Sequence, residues 1–285
     1  IFLTGKAGTG KTTFLRTIQQ RSTKRMIVVA PTGVAAINAN GVTIHSFFQL
    51  PLSPFVPEST VKPRFEYSKQ KRQIMRTLDL LIIDEISMVR ADILDAIDSI
   101  LRRFREHNKP FGGVQLLMIG DLQQLTPIVR PDEEKLLSRY YNTPYFFDSK
   151  ALQSTQYVTI ELTKVFRQQD KVFIDILNHF RDGHVSDEDF DILNKRYQPN
   201  FNPDKNSDYI HLTTHNRIAD NINDRQLEQI KEQAYKFCAR VEGQFPENSY
   251  PADYELTLKC GAQVMFIHND RFERYYNGKI GRITY

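Results

Sequence analysis

Residues 5 to 12 read Gly-Lys-Ala-Gly-Thr-Gly-Lys-Thr, directly after the apolar run Ile1-Phe2-Leu3. Glycines at 5, 8 and 10 let the backbone curl until its N–H groups face inward, and a lysine and a hydroxyl follow. That order of residue types cradles the phosphates of a nucleoside triphosphate. Lys11 reaches the β- and γ-phosphates, the Thr12 hydroxyl ligates Mg²⁺, and a helix opening at Lys11 adds its positive end. The bare pattern arises by chance in roughly one chain in a hundred of this length. With a strand before it, nucleotide binding is preferred to a plain Gly-rich turn.

Leu80-Leu81-Ile82-Ile83-Asp84-Glu85 is a buried-strand run ending in two carboxylates. Asp84 is read as holding Mg²⁺ through water. Glu85, pointing the other way because strand side chains alternate, orients or deprotonates the attacking water. Capping of the following helix is the competing use of such a pair. A second buried run, Gln115 to Ile119, leads into Gly120-Asp121-Leu122-Gln123-Gln124. An amide at Gln124 suits contact with a γ-phosphate, with Asp121 bracing the turn; a surface-loop glutamine is the alternative.

Arg167 follows Glu161-Leu162-Thr163-Lys164-Val165-Phe166. It is either a solvated side chain or an arginine from a neighbouring domain that stabilises charge on the transferring phosphoryl group. Thr32 and Gly33 follow another apolar run, and Thr43-Ile44-His45-Ser46-Phe47-Phe48 comes soon after. Hydroxyls and small residues at helix N-termini can meet a sugar-phosphate backbone, and His45, Phe47 and Phe48 could add base stacking. Equally, Thr32 is a plain N-cap and the phenylalanines belong to the core.

The elements that must position these residues follow an α/β rhythm. Short apolar runs at Ile1 to Leu3, Met26 to Ala30, Leu80 to Ile83, Gln115 to Ile119, Tyr157 to Glu161, Tyr209 to Thr213 and Gln263 to His268 alternate with helical stretches, which predicts a mostly parallel sheet. Ala91 to His107 carries an apolar face, as do a helix holding Phe173, Ile176, Leu177 and Phe180 and one beginning with Ile218 and Ile222; all three read as core stripes. Two proline-bearing segments, Gln49 to Arg76 and Tyr235 to Lys259, read as excursions from the sheet. Tyr276 to Gly281 reads as a tight turn between strands.

With 285 residues, 40% of them hydrophobic, the chain is long enough for two domains, and a boundary is expected near Lys150 to Gln156. A formal charge of +4 is compatible with a polyanionic partner and does not select one. Cys238 and Cys260 lie far apart, so neither a zinc site nor a disulfide framework is indicated, and a reducing interior fits. No run approaches the roughly 20 apolar residues of a membrane span, so a soluble chain is expected. Beginning and ending inside strand-like runs, it reads as an excerpt of a longer protein.

Taken in order, GKAGTGKTT, VVAPTGVAAINA, TIHSFFQLP, LLIIDEISMV, FGGVQLLMIGDLQQLTPI, ELTKVFRQ, and LKCGAQVMFIHND with YNGKIGRI resemble the PIF family of superfamily 1B DNA helicases over essentially the whole chain. Gly112 and Gly113, just before the strand at Gln115, resemble that family's signature region. The resemblance implies a P-loop NTPase with two RecA-like parallel-sheet domains, the second incomplete. Residues 1–152 would be the first, with a wedge insertion at about 49–76. Residues 153–285 would be the partial second, ending at an inserted subdomain that begins at Asn277-Gly278.

It further implies ATP and Mg²⁺, with Lys11, Glu85, Gln124 and Arg167 catalytic and Thr12 and Asp84 at the metal. Nucleotide contacts would come from Gly5, Ala7, Gly8, Thr9, Gly10, Lys11, Thr12, Thr13, Gln124 and Arg167. DNA contacts would come from Thr32, Gly33, His45, Ser46 and Phe47. The implied activity is 5′-to-3′ unwinding or translocation on single-stranded DNA, with forked or G-quadruplex substrates, by a monomer that can oligomerise on DNA. Repair, recombination, replication or telomere maintenance would be its setting, in the cytoplasm of a bacterium or the nucleus or mitochondrion of a eukaryote. A RecD-type superfamily 1 helicase and a nucleotide-dependent DNA-binding switch are the competing readings.

The pattern is incomplete. No T-x-H-K-S-Q-G or V-A-x-S-R segment occurs, so motifs V and VI are missing, as is the amino-terminal adenine-reading glutamine segment. Thr126 stands where the family more often has proline. As written, the chain is expected to bind nucleotide and hydrolyse it poorly, the parent protein being the active helicase.

Overall fold

The computed structural model of the chain describes residues 1–56, 67–201, 211–241, 252–267, 270, 274–275 and 279–284. From its first residues strand and helix alternate: β1 (Phe2–Gly5), α1 (Lys11–Arg21), β2 (Met26–Ala30), α2 (Gly33–Asn38), β3 (Val42–Thr43), α3 (Ile44–Phe48), α4 (Lys69–Thr77), β4 (Leu80–Ile83), α5 (Ala91–Phe104) and β5 (Gln115–Ile119). Then come α6 (Pro131–Leu137), α7 (Lys150–Gln153), β6 (Thr159–Leu162), α8 (Lys171–Asp182) and α9 (Asp187–Asn194). The first six strands form one sheet in the order β3-β2-β4-β5-β1-β6, and every pairing in it is parallel.

Both faces of that sheet are covered, which is why its central strands are unbroken aliphatic runs instead of alternating ones. Leu81, Ile83, Leu116 and Met118 pack with Ile93, Leu94, Ile97 and Leu101 of α5. Leu80, Ile82, Leu117 and Ile119 pack on the opposite face with Leu15 of α1. Parallel pairing puts all the carboxyl ends on one edge, the edge where open α/β sheets bind ligands. Because β5 lies between β1 and β4, the turn after Ile119 is inserted between the phosphate loop and the acidic pair.

Two compact units emerge, Ile1–Asp191 and Ile192–Tyr285. The boundary expected at 152/153 is therefore displaced, because β6 pairs with β1 over Phe2 to Gly5 and so completes the first sheet. Within the second unit, α10 (Asn216–Gln229) is followed by two antiparallel pairs, β7 (Ala234–Cys238) with β8 (Glu255–Lys259) and β9 (Gln263–Met265) with β10 (Ile280–Arg282). The Tyr235 to Lys259 segment, expected as an excursion, thus supplies both arms of an antiparallel pair.

Other expectations shift in detail. Residues 211–213 are not strand, and the rest of the strand expected at Tyr209 lies outside the described residues. So do residues 276–278, where the tight turn and the Asn277-Gly278 insertion point were expected, and residues 57–66 of the wedge. The later part of the wedge segment returns to the core: Met75 of α4 is fully buried, and the Tyr67 hydroxyl donates to the Phe48 carbonyl at 2.6 Å. The stripe on α8 is core only at Ile176; Phe173, Leu177 and Phe180 stay exposed, Phe180 lying edge-on to Phe190. In α10 no residue is buried. Among the described residues no helix is long and apolar enough to cross a membrane.

Candidate active site

The phosphate loop joins β1 to α1, and its shape depends on glycine at two points. Gly10 caps α1 at φ 95°, a left-handed conformation that side chains resist. At Gly8 the obstacle is proximity, since a Cβ there would lie 2.6 Å from the Arg167 Cβ. The Phe166 N–H donates to the Gly8 carbonyl at 2.8 Å, so the Phe166–Arg167 backbone rests on the loop. Arg167 itself is exposed and belongs to the first unit, not to a neighbouring domain as expected. Thr9 is buried and its hydroxyl donates to the Lys6 carbonyl at 2.8 Å, bracing the loop. Ala7, Thr12 and Thr13 are exposed.

Lys11 turns back along the loop, donating to the carbonyls of Gly5 at 2.6 Å and Lys6 at 3.1 Å. Burial lowers its ammonium below the ordinary lysine value; Asp121 and Glu85 pull it up, Arg181 pushes it down, and Asp84 pulls it up. The acidic groups expected after β4 and β5 thus act on the Lys11 charge. Asp84 directly follows β4, its N–H donating to the Val29 carbonyl at 2.9 Å. Its carboxyl is pushed up to about 6, first by burial and then by the Glu85 charge, against the Glu85 N–H and Lys11.

Glu85 does not continue the strand: it sits at φ 51° and ψ 45°, so the side-chain alternation of β4 does not extend to it, and both carboxylates act on the Lys11 charge. A non-glycine residue in this region is strained, a feature that concentrates at active sites. Gly120 allows β5 to approach this turn: a Cβ there would lie 2.8 Å from the Ile86 Cγ2.

The donor set suits Mg²⁺, a hard cation held by few side-chain oxygens together with phosphate. Thr12 and Asp84 would hold it, and the raised Asp84 carboxyl is the charge that an adjacent dication would return to its ionised form. When bound, the ion would neutralise charge on the β- and γ-phosphates.

Asp121 is 1% exposed and does more than brace its turn. Its Oδ2 accepts from the Gln124 Nε2 at 2.9 Å and its Oδ1 from the Gln123 N–H at 3.2 Å. Both oxygens also receive the Arg181 guanidinium, at 2.7 and 2.8 Å. Burial opposes its charge most, yet Arg181, Gln124 and the Gln123 N–H carry the carboxyl below its ordinary value. Arg181 is not among the residues singled out from the sequence, where it is one more polar residue on an amphipathic helix.

Along the same edge, Thr32 caps α2 by accepting from the Ala35 N–H at 3.2 Å, and Gly33 opens that helix. Thr32 and His45 line a cavity of about 180 Å³ with Leu52, Met88, Arg90 and Ile128. Burial, then the Arg90 charge, lowers the His45 imidazole, with Asp92 opposing. Arg90, also absent from the sequence-based set, is fixed by bidentate bonds to Asp92 at 2.8 Å and one to Glu133 at 3.0 Å. Ser46 is exposed, its carbonyl accepting from Lys71 at 2.9 Å. Phe47 departs from expectation: it is 7% exposed, edge-on to Phe48 in the core, and its ring is not available to stack on a base.

A family model described as PIF1-like helicase matches residues 1–191. The ATP-dependent DNA helicase PIF1 of Saccharomyces cerevisiae is 33% identical over 297 residues, covering 99% of this chain and 33% of that protein. Among solved structures, Bacteroides Pif1 bound to ssDNA matches with a TM-score of 0.90 at 42% identity, over 100% of this chain and 66% of that one. Pif1 helicase from Bacteroides in complex with ADP-AlF3 and ssDNA matches with the same score and identity, over 100% and 65%. The chain spans less than two thirds of the length of the curated relatives it matches.

Proposed function

The chain belongs to the PIF1-like helicase family, and from that premise we propose that the complete protein is an ATP-dependent DNA helicase that moves 5′ to 3′ on single-stranded DNA. The observation that carries this reading is the convergence of Asp84, Glu85 and Asp121 around Lys11 at the carboxyl edge of one parallel sheet. Lys11 binds the β- and γ-phosphates, Thr12 and Asp84 hold Mg²⁺, Glu85 orients the attacking water, and Gln124 meets the γ-phosphate. Ala7, Thr9 and Thr13 contribute backbone or first-turn contacts to the nucleotide, and Arg167 lies beside the loop to stabilise transition-state charge.

Thr32, Gly33, His45 and Ser46 form the DNA-contacting part of the same edge, through backbone and hydroxyl contacts to phosphate more than through stacking. Residues 192–285 are the opening part of a second RecA-like domain. Forked and G-quadruplex DNA are its structured substrates, a monomer is its working unit, and its place is a DNA-containing compartment.

The test is the ATPase rate of the complete protein with and without a single-stranded oligonucleotide. Strong stimulation supports a motor; a nucleotide-dependent switch would show none. Unwinding of a forked duplex that persists in Lys11→Ala would overturn the assignment of the phosphate loop.

A further inference from the structure

Helix α8 is closed at both ends by its own residues. The Asp170 carboxylate accepts from the Phe173 N–H at 3.1 Å, and Gly183 ends it at φ 72°. Two residues one turn apart on this helix nevertheless reach the phosphate site. The Asn178 Oδ1 accepts from the Lys6 Nζ at 2.8 Å, so one contact is with the phosphate loop. Arg181 makes the other, its two terminal nitrogens donating to both oxygens of Asp121.

A guanidinium fork fixes the plane of the carboxylate it grips, which a single-point contact does not do. The Asp121 side chain is 1% exposed and that of Arg181 is 21% exposed, so solvent does little to loosen the pair. The charges facing Arg181 are Asp121, Asp182 and Glu161, with Lys11 across Asp121. One lone-pair direction of Asp121 Oδ2 is left for the Gln124 amide. The orientation of Asp121 therefore decides where Gln124 points.

We propose that Arg181 is a positioning residue for ATP hydrolysis: its bidentate hold on Asp121 aims the Gln124 amide at the γ-phosphate, and Asn178 holds the same helix face against the phosphate loop. This rests on the ATP-hydrolysing reading above. Arg181 does not touch the nucleotide; it acts through Asp121 and Gln124.

The experiment compares the DNA-stimulated ATPase of the complete wild-type protein with Arg181→Met, Arg181→Lys, Gln124→Ala and the Arg181→Met, Gln124→Ala double variant. Displacing one aimed group costs roughly 10- to 100-fold in kcat, and that loss is expected for Arg181→Met, with the KM for ATP within about threefold of wild type. Arg181→Lys keeps the charge without the fork, so it should recover the melting temperature and leave kcat low. The double variant should lose no more than Gln124→Ala alone, because the two residues act through one contact.

A wild-type kcat in Arg181→Met overturns the inference. So does full recovery of kcat by Arg181→Lys, or multiplication of the two losses in the double variant. A wild-type protein whose ATPase ignores the oligonucleotide overturns the motor reading itself, an outcome visible before any Arg181 variant is assayed.

Discussion

The tips of β1, β4 and β5 and the tips of β2 and β3 lie on one edge of one sheet, yet they are built differently. At the first, charge is concentrated: Lys11 is acted on by Asp121, Glu85, Arg181 and Asp84, and Asp121 is gripped by Arg181. At the second, the Thr32 hydroxyl is engaged in its own cap, burial disfavours charge on His45, and Phe47 belongs to the core. A site that moves a phosphoryl group needs preorganised charge, whereas one that lets a strand slide needs many weak, interchangeable contacts.

The largest effect should come from the charged cluster. Lys11→Ala is expected to lower DNA-stimulated ATPase about a thousandfold, equivalent to about 4 kcal/mol in the barrier, while single-stranded DNA affinity measured by fluorescence anisotropy without nucleotide stays within about threefold of wild type. A parallel collapse of both would mean that the two regions are not separable.

Next in size, Phe47→Ala should cost about 3–5 kcal/mol of unfolding free energy, the ordinary loss for a buried phenylalanine, read by urea denaturation. DNA affinity of the folded fraction should hardly change. A selective loss of affinity with stability intact would restore Phe47 to the DNA-contacting set.

Asp84→Asn tests the opposite trade. Its carboxyl titrates near 6 in the folded chain against an ordinary value of 3.8. The folded state thus prefers the protonated form, and ionisation removes stability as pH rises through that window. Replacing it should stabilise the magnesium- and nucleotide-free protein by about 1–3 kcal/mol above pH 6, with the gain fading to nothing below about pH 4. Melting temperatures across pH 4 to 8 read this directly; a gain that is constant with pH would place its origin elsewhere. ATPase activity should fall in the same variant.

The smallest effect belongs to the second region. Loss of the Thr32 cap in Thr32→Ala should cost about 1 kcal/mol of stability, with single-stranded DNA affinity reduced only a few-fold because one contact among many is altered. A loss of a hundredfold would show that Thr32 is a dominant contact.

How far each region was legible follows from the same difference. Lys11, Asp84 and Gln124 stood out in the chain because phosphate chemistry tolerates few residue types, and each follows an apolar strand whose end marks the site. The α/β rhythm was equally legible, since a sheet buried on both faces requires runs such as Leu80 to Ile83. Phe47 was ambiguous because an aromatic residue after a cap is written alike for core and for stacking. Arg181 was hidden because its partner, Asp121, lies 60 positions away.

From the chain alone came the phosphate loop, the acidic strand tip and the parallel sheet, all of them local consequences of spacing and hydrophobic pattern. Only the folded molecule decided that β6 completes the first sheet, that Glu85 takes a left-handed conformation after Asp84, and that a guanidinium from α8 grips Asp121. Those depend on strand order and on long-range pairing, and no periodicity within a single segment encodes which distant segment will pack beside it.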